Sequence, residues 1–299
     1  MVLRKLTWPF FRSLRTIAWS SPLARSPFWA ETFVRIGYTL RRWMGLAPGS
    51  GEVAEVHGNK MRFGSASECY IDMINGTYEP VITQLFEKLI KPGMTVVDVG
   101  AHIGYFTLLA AQQTGSEGKV YAFEPDPTNY SVLTGNISNN GYGSVVPVPK
   151  AVCDAPGTAS FFLHMDTVAH SLYPTTLGRG KSTISVETTS LDNFFEQEGW
   201  PPVNLIKMDI EGAEAAALEG MKKLIERNET VYLVLEFIPQ IQQNAGIDPH
   251  ELLGKLRELG FTIQVVTEDG LQPLDDKACE DLNLHAELFC EKNVRLELK

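Results

Sequence analysis

Thr95-Val-Val-Asp98-Val-Gly100-Ala101-His102-Ile-Gly104-Tyr-Phe-Thr107 decides the architecture. A β-branched run ends in an acid, two glycines bracket a short turn, and a helical pattern follows. Gly100 and Gly104 let the backbone approach a ligand with no Cβ in the way. The helix start at Gly104 offers free N–H groups. Upstream, residues 79–90 read as a helix that ends before Pro92-Gly93. Downstream, strands are predicted at 94–99, 119–124, 144–149, 203–208, 231–236, 261–266 and 286–290. Helices are predicted at 104–114, 127–139, 212–225 and 248–259. Strands alternating with helices give an α/β fold: a doubly wound, mostly parallel sheet with helices on both faces. An insertion at 157–198, with strands at 159–163 and 183–188, a loop at 164–180 and a short helix at 191–198, is expected over the carboxyl edge.

Two cofactors fit a strand, glycine turn and helix: a dinucleotide and S-adenosylmethionine. The dinucleotide turn reads G-x-G-x-x-G, whereas the spacing here is Gly100-x-x-x-Gly104, without the central glycine. Asp98 would repel a pyrophosphate and attract an ammonium or sulfonium cation, which favours S-adenosylmethionine. The next strand ends in Phe123-Glu124-Pro125-Asp126. A carboxylate there takes ribose hydroxyls in either cofactor, so Glu124 alone does not discriminate.

The fourth strand ends in Lys207-Met-Asp209-Ile-Glu211-Gly-Ala-Glu214. If the strand continues, Lys207, Asp209 and Glu211 point the same way. A cation between two carboxylates would neutralise them and hold a substrate hydroxyl. Acids at a helix start also complement its dipole, by about 0.3–1 kcal/mol, and Glu214 reads as structural on that ground. His170, in a loop, titrates near neutrality and is a candidate base, with Asp209 and Glu211 as rivals. Asp154 follows the third strand, where it would face adenine or serve as a turn residue before Pro156-Gly157. Four dispersed cysteines and six histidines form no metal spacing, so no metal centre is predicted. A divalent ion on Asp209 and Glu211 is the weaker alternative to a protein base.

Together, Asp98-x-Gly100-Ala101-His102-x-Gly104, Ala122-Phe123-Glu124-Pro125-Asp126-Pro127 with Asn136, Ser190-Leu191-Asp192, and Ile206-Lys207-Met-Asp209-Ile-Glu211-Gly212-Ala-Glu214 resemble the FkbM family. These are class I S-adenosylmethionine-dependent methyltransferases, and the ordered blocks span about residues 75–240. The resemblance implies a Rossmann-like sheet of seven strands with an antiparallel last strand. It also implies methyl transfer to a hydroxyl oxygen, often in a sugar or natural product. It places Asp98, Gly100, Ala101, His102 and Gly104 at the methionine end of the cofactor. Glu124 would hold the ribose, and Pro125 and Asp126 would lie beside the adenosine. The family usually has Asn where this chain has His102; either side chain forms hydrogen bonds. A nicotinamide-dependent reductase and a non-catalytic cofactor-binding protein are the alternatives.

The chain has 299 residues, 26 Lys+Arg against 36 Asp+Glu and a net charge of −10, with 44% apolar residues. That composition excludes a disordered chain. Charge divides it unevenly: residues 1–50 carry eight basic residues and one acid, together with four of the five tryptophans. Residues 1–51 are therefore set apart as a basic, Trp-rich amphipathic segment, before a methyltransferase domain at 52–299 that opens with a hairpin at 52–75. Apolar and aromatic faces beside arginine suit a helix lying in a membrane interface. Each basic residue near an anionic leaflet contributes about 1 kcal/mol. Docking on an acidic protein surface and organelle targeting are the rival readings. No run is long and apolar enough for a transmembrane helix, and the acidic body argues against nucleic acid. The expected location is cytoplasmic, peripheral at a membrane surface through residues 1–45. The expected acceptor is a small molecule, a glycan or a lipid-linked group; the sequence is silent on oligomeric state.

Overall fold

The computed structural model describes residues 52–64, 69–164, 169–174, 182–274 and 284–293. The expectations for residues 1–51 lie outside these, as does part of the loop expected at 164–180. The described residues fall into two compact units, one ending at Tyr78 and the other beginning at Glu79.

In the first unit, β1 (Val53–Val56) and β2 (Asn59–Arg62) form an antiparallel hairpin with Val56 opposite Asn59. His57 and Gly58 both have positive φ, 47° and 81°. Such a two-residue turn matches the right-handed twist of the strands it joins. Helix α1 (Cys69–Asn75) buries Tyr70, Ile71 and Met73.

The second unit opens with α2 (Pro80–Leu89), followed by β3 (Thr95–Val99), α3 (Tyr105–Thr114), β4 (Lys119–Phe123), α4 (Pro127–Asn140) and β5 (Val145–Val148). The insertion follows as β6 (Ala151–Val152), β7 (Gly157–Leu163), β8 (Ser182–Thr189) and α5 (Leu191–Gln197). The chain returns through β9 (Leu205–Met208), α6 (Glu214–Glu219), α7 (Lys222–Arg227), β10 (Thr230–Phe237), α8 (Pro239–Asn244) and α9 (Pro249–Glu258). It closes with β11 (Thr262–Thr267), β12 (Gly270–Pro273) and β13 (Ala286–Asn293).

The central sheet runs β12-β11-β13-β10-β9-β3-β4-β5. β5, β4, β3, β9 and β10 are parallel, and β13 is inserted antiparallel between β10 and β11. The seven expected strands are all present, the last one antiparallel. An eighth, β12, extends the edge by pairing antiparallel with β11. Strands covered on both faces read as unbroken apolar runs, and β3 and β9 bury nearly every side chain. Asp98 on β3 and Lys207 on β9 are the buried charged exceptions, 1% and 3% exposed. Helix α3 buries all its residues but Gln112 and Gln113, as a helix with almost no polar face must.

The insertion builds its own sheet, β6-β8-β7. Beyond β7, Ser171 bridges back to Phe162, and its Oγ donates to the Glu211 carbonyl at 2.6 Å. That bond ties the insertion to the carboxyl edge of the central sheet. The single helix expected at 212–225 is two, broken at Gly220-Met221. Asp192 causes the break: its amide donates to the Gly220 carbonyl, and its carboxylate accepts from the Lys223 and Leu224 amides at 3.1 and 2.8 Å.

Candidate active site

The glycine turn is locked by its neighbours. The Gly100 and Ala101 amides donate to the Phe123 carbonyl at 3.1 and 2.9 Å, and the Asp209 amide donates to the Val99 carbonyl at 3.1 Å. Gly100 has φ 87°, and a Cβ there would collide with the Asp209 carbonyl. Buried Asn136 reaches across from α4, donating from Nδ2 to the Ile103 carbonyl at 2.8 Å. His102 takes the left-handed conformation, φ 51°, which asparagine adopts most readily among non-glycine residues. Burial and the charges of His170 and Lys207, opposed by Asp209, lower its pKa to about 4 and keep it neutral.

Asp98, next to last in β3, is almost fully buried. Its Oδ2 accepts from Thr107 Oγ1 at 2.6 Å, while Oδ1 has no hydrogen-bond partner among the described residues. A buried acceptor left open is costly unless a ligand completes it. At this turn a cationic donor fits it, and a pyrophosphate does not.

Glu124 is turned inward at the end of β4 and is also buried. Its Oε2 accepts the His102 amide at 2.9 Å and its Oε1 the Asp126 amide at 2.8 Å. Each oxygen keeps a second lone pair, enough for a ribose diol. Burial pushes its pKa up to about 8, against the two amide donors. Asp126 is the N-cap of α4, its Oδ1 accepting from Thr128 and Asn129, both at 2.8 Å. Its side chain is thus spent on the helix, and half-buried Pro125 lies between the two acids.

Lys207 lies beside Asp98 in strand register. Its Nζ is 3.0 Å from Asp209 Oδ2 and 4.7 Å from the centre of the Phe106 ring. Burial opposes its charge, but Asp209, Glu79, Asp98 and Glu287 outweigh burial and hold it protonated. Burial likewise opposes ionisation of Asp209, and Lys207 overcomes it, keeping Asp209 ionised. Carboxylate oxygens of Asp209 and Glu236 lie within 4.8 Å of each other, and the pKa of Glu236 rises to about 7 through burial and the Asp209 charge. Glu236 Oε1 is 2.9 Å from His285 Nε2.

Glu211 is strained at φ 53°, its carbonyl held by Ser171. Glu214 is structural: its carboxylate collects the Ile210 and Gly212 amides at 2.9–3.2 Å and Gln242 Nε2 at 2.6 Å. His170 lies close enough to His102 for its charge to act there. Its Nδ1, however, already accepts the His164 amide at 3.1 Å. Asp154 is exposed and acts electrostatically on Tyr173.

Glu236, His285 and Glu287 escaped the sequence reading. They form one compact group of potential ligand atoms, and Asp209, Glu211 and Glu236 form another, each within 4.8 Å. The Glu236–His285 contact and the Lys207–Asp209 ion pair already engage three of these groups, so compactness alone defines no metal centre.

The family model described as the methyltransferase FkbM domain matches residues 98–263. The hexuronic acid methyltransferase AglP of Haloferax volcanii is 29% identical over 240 residues, covering 78% of this chain and 92% of that protein. Methyltransferase sdnD of Sordaria araneosa is 26% identical over 197 residues, 56% of this chain and 73% of the relative. Among solved structures, a methyltransferase FkbM from Methylobacillus flagellatus aligns with TM-score 0.42 and 14% identity, over 75% of this chain and 55% of that one.

Proposed function

The chain belongs to the FkbM methyltransferase family, and from that premise we propose that it methylates a hydroxyl oxygen of a glycan or related polyhydroxylated acceptor. Its cofactor is S-adenosylmethionine, which supplies an electrophilic methyl group on a sulfonium sulfur. One observation carries the assignment of residues: the buried, open Oδ1 of Asp98 beside the glycine turn. In this reading Asp98 takes the ammonium of the methionine moiety, and the turn Gly100–Gly104 admits its backbone. Glu124 accepts the ribose hydroxyls through its second lone pairs. Asp126 and Pro125 shape the adenosine side through the cap of α4. Asp209, held by Lys207, orders the acceptor edge of the crevice, next to Glu211. The likeness to a hexuronic acid methyltransferase over most of both chains supports a sugar acceptor.

Calorimetric titration of the full chain with S-adenosylhomocysteine and NADH tests the cofactor roles. Wild type is expected to bind the first at micromolar levels and not the second. Asp98→Asn keeps the shape and the Thr107 bond but loses the charge, and should weaken binding about 10–100-fold, the worth of one charge-assisted hydrogen bond. Unchanged affinity would remove Asp98 from the site. Incubation with S-adenosylmethionine and a panel of neutral sugars, uronic acids and lipid-linked glycans, followed by mass spectrometry, tests the acceptor class. A product methylated on carbon, nitrogen or carboxylate would refute the hydroxyl assignment.

A further inference from the structure

We propose that His285, oriented by Glu236, is the group that takes the proton from the acceptor hydroxyl; this rests on the methyl transfer to oxygen proposed above. Because β13 is antiparallel to β10, its first residues meet the carboxyl end of β10, with Phe237 opposite Ala286 and Glu236 opposite Glu287. His285 therefore arrives at the edge where open α/β sheets hold their ligands. The pair is graded in exposure: 62% for the imidazole and 14% for the carboxylate. The histidine is open to an incoming acceptor, while its partner is sheltered. A carboxylate on Nε2 fixes the tautomer and leaves the lone pair of Nδ1 available.

The pair also has a connection inward. Carboxylate oxygens of Glu236 and Asp209 lie within 4.8 Å of each other, Asp209 is hydrogen-bonded to Lys207, and Lys207 is the strand neighbour of Asp98. A row of neighbouring polar side chains thus leads from Asp98 to His285. Two of the other candidate bases are less suited. Asp209 is kept ionised by Lys207 and is a weak base. His170 has Nδ1 committed to the His164 amide. The charged groups around His285 come from several elements: Glu236 on β10, Asp209 after β9, Glu79 before α2 and Glu287 on β13 itself. All are acids and favour the imidazolium; the Glu236 hydrogen bond is the largest influence raising the His285 pKa.

In the step, the acceptor oxygen bonds to the methyl carbon as the carbon–sulfur bond breaks, and that electron pair stays on sulfur. The hydroxyl proton passes to Nδ1, and the imidazolium, stabilised by Glu236, later returns it to water. Sulfonium and alcohol thus become thioether, ether and one released proton.

The test uses the full chain as wild type, His285→Ala and Glu236→Gln. On an acceptor that wild type methylates at oxygen, His285→Ala should lower kcat about 10²–10⁴-fold, leaving S-adenosylhomocysteine affinity within twofold. Glu236→Gln should move the acid limb of the kcat–pH profile to lower pH. NMR titration of labelled histidine should show His285 titrating above its ordinary value in wild type and dropping in Glu236→Gln, with no acceptor present. An unshifted His285 resonance overturns the pair. Undiminished kcat in His285→Ala, with an O-methyl product, overturns the proton-accepting role. So does activity that chelator abolishes and magnesium restores while Glu236→Gln leaves the pH limb in place. A wild type that methylates some other atom refutes the hydroxyl reading instead, and the NMR result still reports on the pair.

Discussion

At residue scale, the glycine turn is intolerant of any side chain at its first position. Gly100→Ala forces an L-residue to φ 87° and drives its Cβ into the Asp209 carbonyl. Left-handed strain and overpacking together should cost about 2–4 kcal/mol, read as a lower denaturation midpoint with the slope preserved. His102→Asn makes the opposite case: asparagine suits φ 51°, so stability should hold or rise by a few tenths of a kcal/mol. Glu124 gives a pH prediction. Its folded pKa of about 8 lies above the ordinary value of 4.5. The stability it contributes is therefore full below 4.5 and is lost as pH rises through 8. Ribose hydroxyls call for the ionised form, so S-adenosylhomocysteine should bind tighter from pH 6 to 8, by up to about tenfold per unit, with proton uptake by buffer. Calorimetry in buffers of different ionisation enthalpy reads that proton. A flat profile removes Glu124 from the ribose.

At the scale of elements, the connection from β9 to α6 is held by one side chain. Glu214 gathers two loop amides and Gln242 of α8. Glu214→Ala orphans these buried donors and should cost about 2–4 kcal/mol. Because the same loop carries Asp209 and Glu211, methyl transfer should fall in the folded variant as well. Circular dichroism melting and a transfer assay on one preparation check both. Elements of this kind were largely legible in the sequence, because an apolar run ending in Asp98 or Glu124 and followed by a helical pattern is a local signal. The break at Gly220 was not, because it depends on Asp192, 28 residues upstream. The pairing of Glu236 with His285 was hidden for the same reason. In sequence, one reads as an acid ending a strand and the other as an isolated histidine. Only the antiparallel insertion of β13 beside β10 sets them face to face.

At the scale of the whole molecule, charge is segregated along the chain. Eight basic residues and four tryptophans fall within residues 1–50, while the remainder holds 35 of the 36 acids. No helix among the described residues is long and apolar enough to cross a membrane, and we propose that residues 1–45 attach the chain at a membrane surface. Superficial binding combines burial of apolar side chains with attraction to anionic lipid, and the second part is screened by salt over roughly 10 Å at 0.1 M. The full chain should therefore co-sediment with vesicles containing phosphatidylserine more than with neutral phosphatidylcholine vesicles, and lose that preference at high salt. Replacing Arg4, Lys5, Arg12 and Arg15 by glutamine removes about 4 kcal/mol of attraction at about 1 kcal/mol per residue. S-adenosylhomocysteine affinity should remain unchanged, since none of these residues belongs to the cofactor turn. Equal sedimentation of the two proteins with anionic vesicles would transfer the leader's role to docking on an acidic protein surface. Salt-sensitive loss in the variant would place the acceptor search among lipid-linked glycans first.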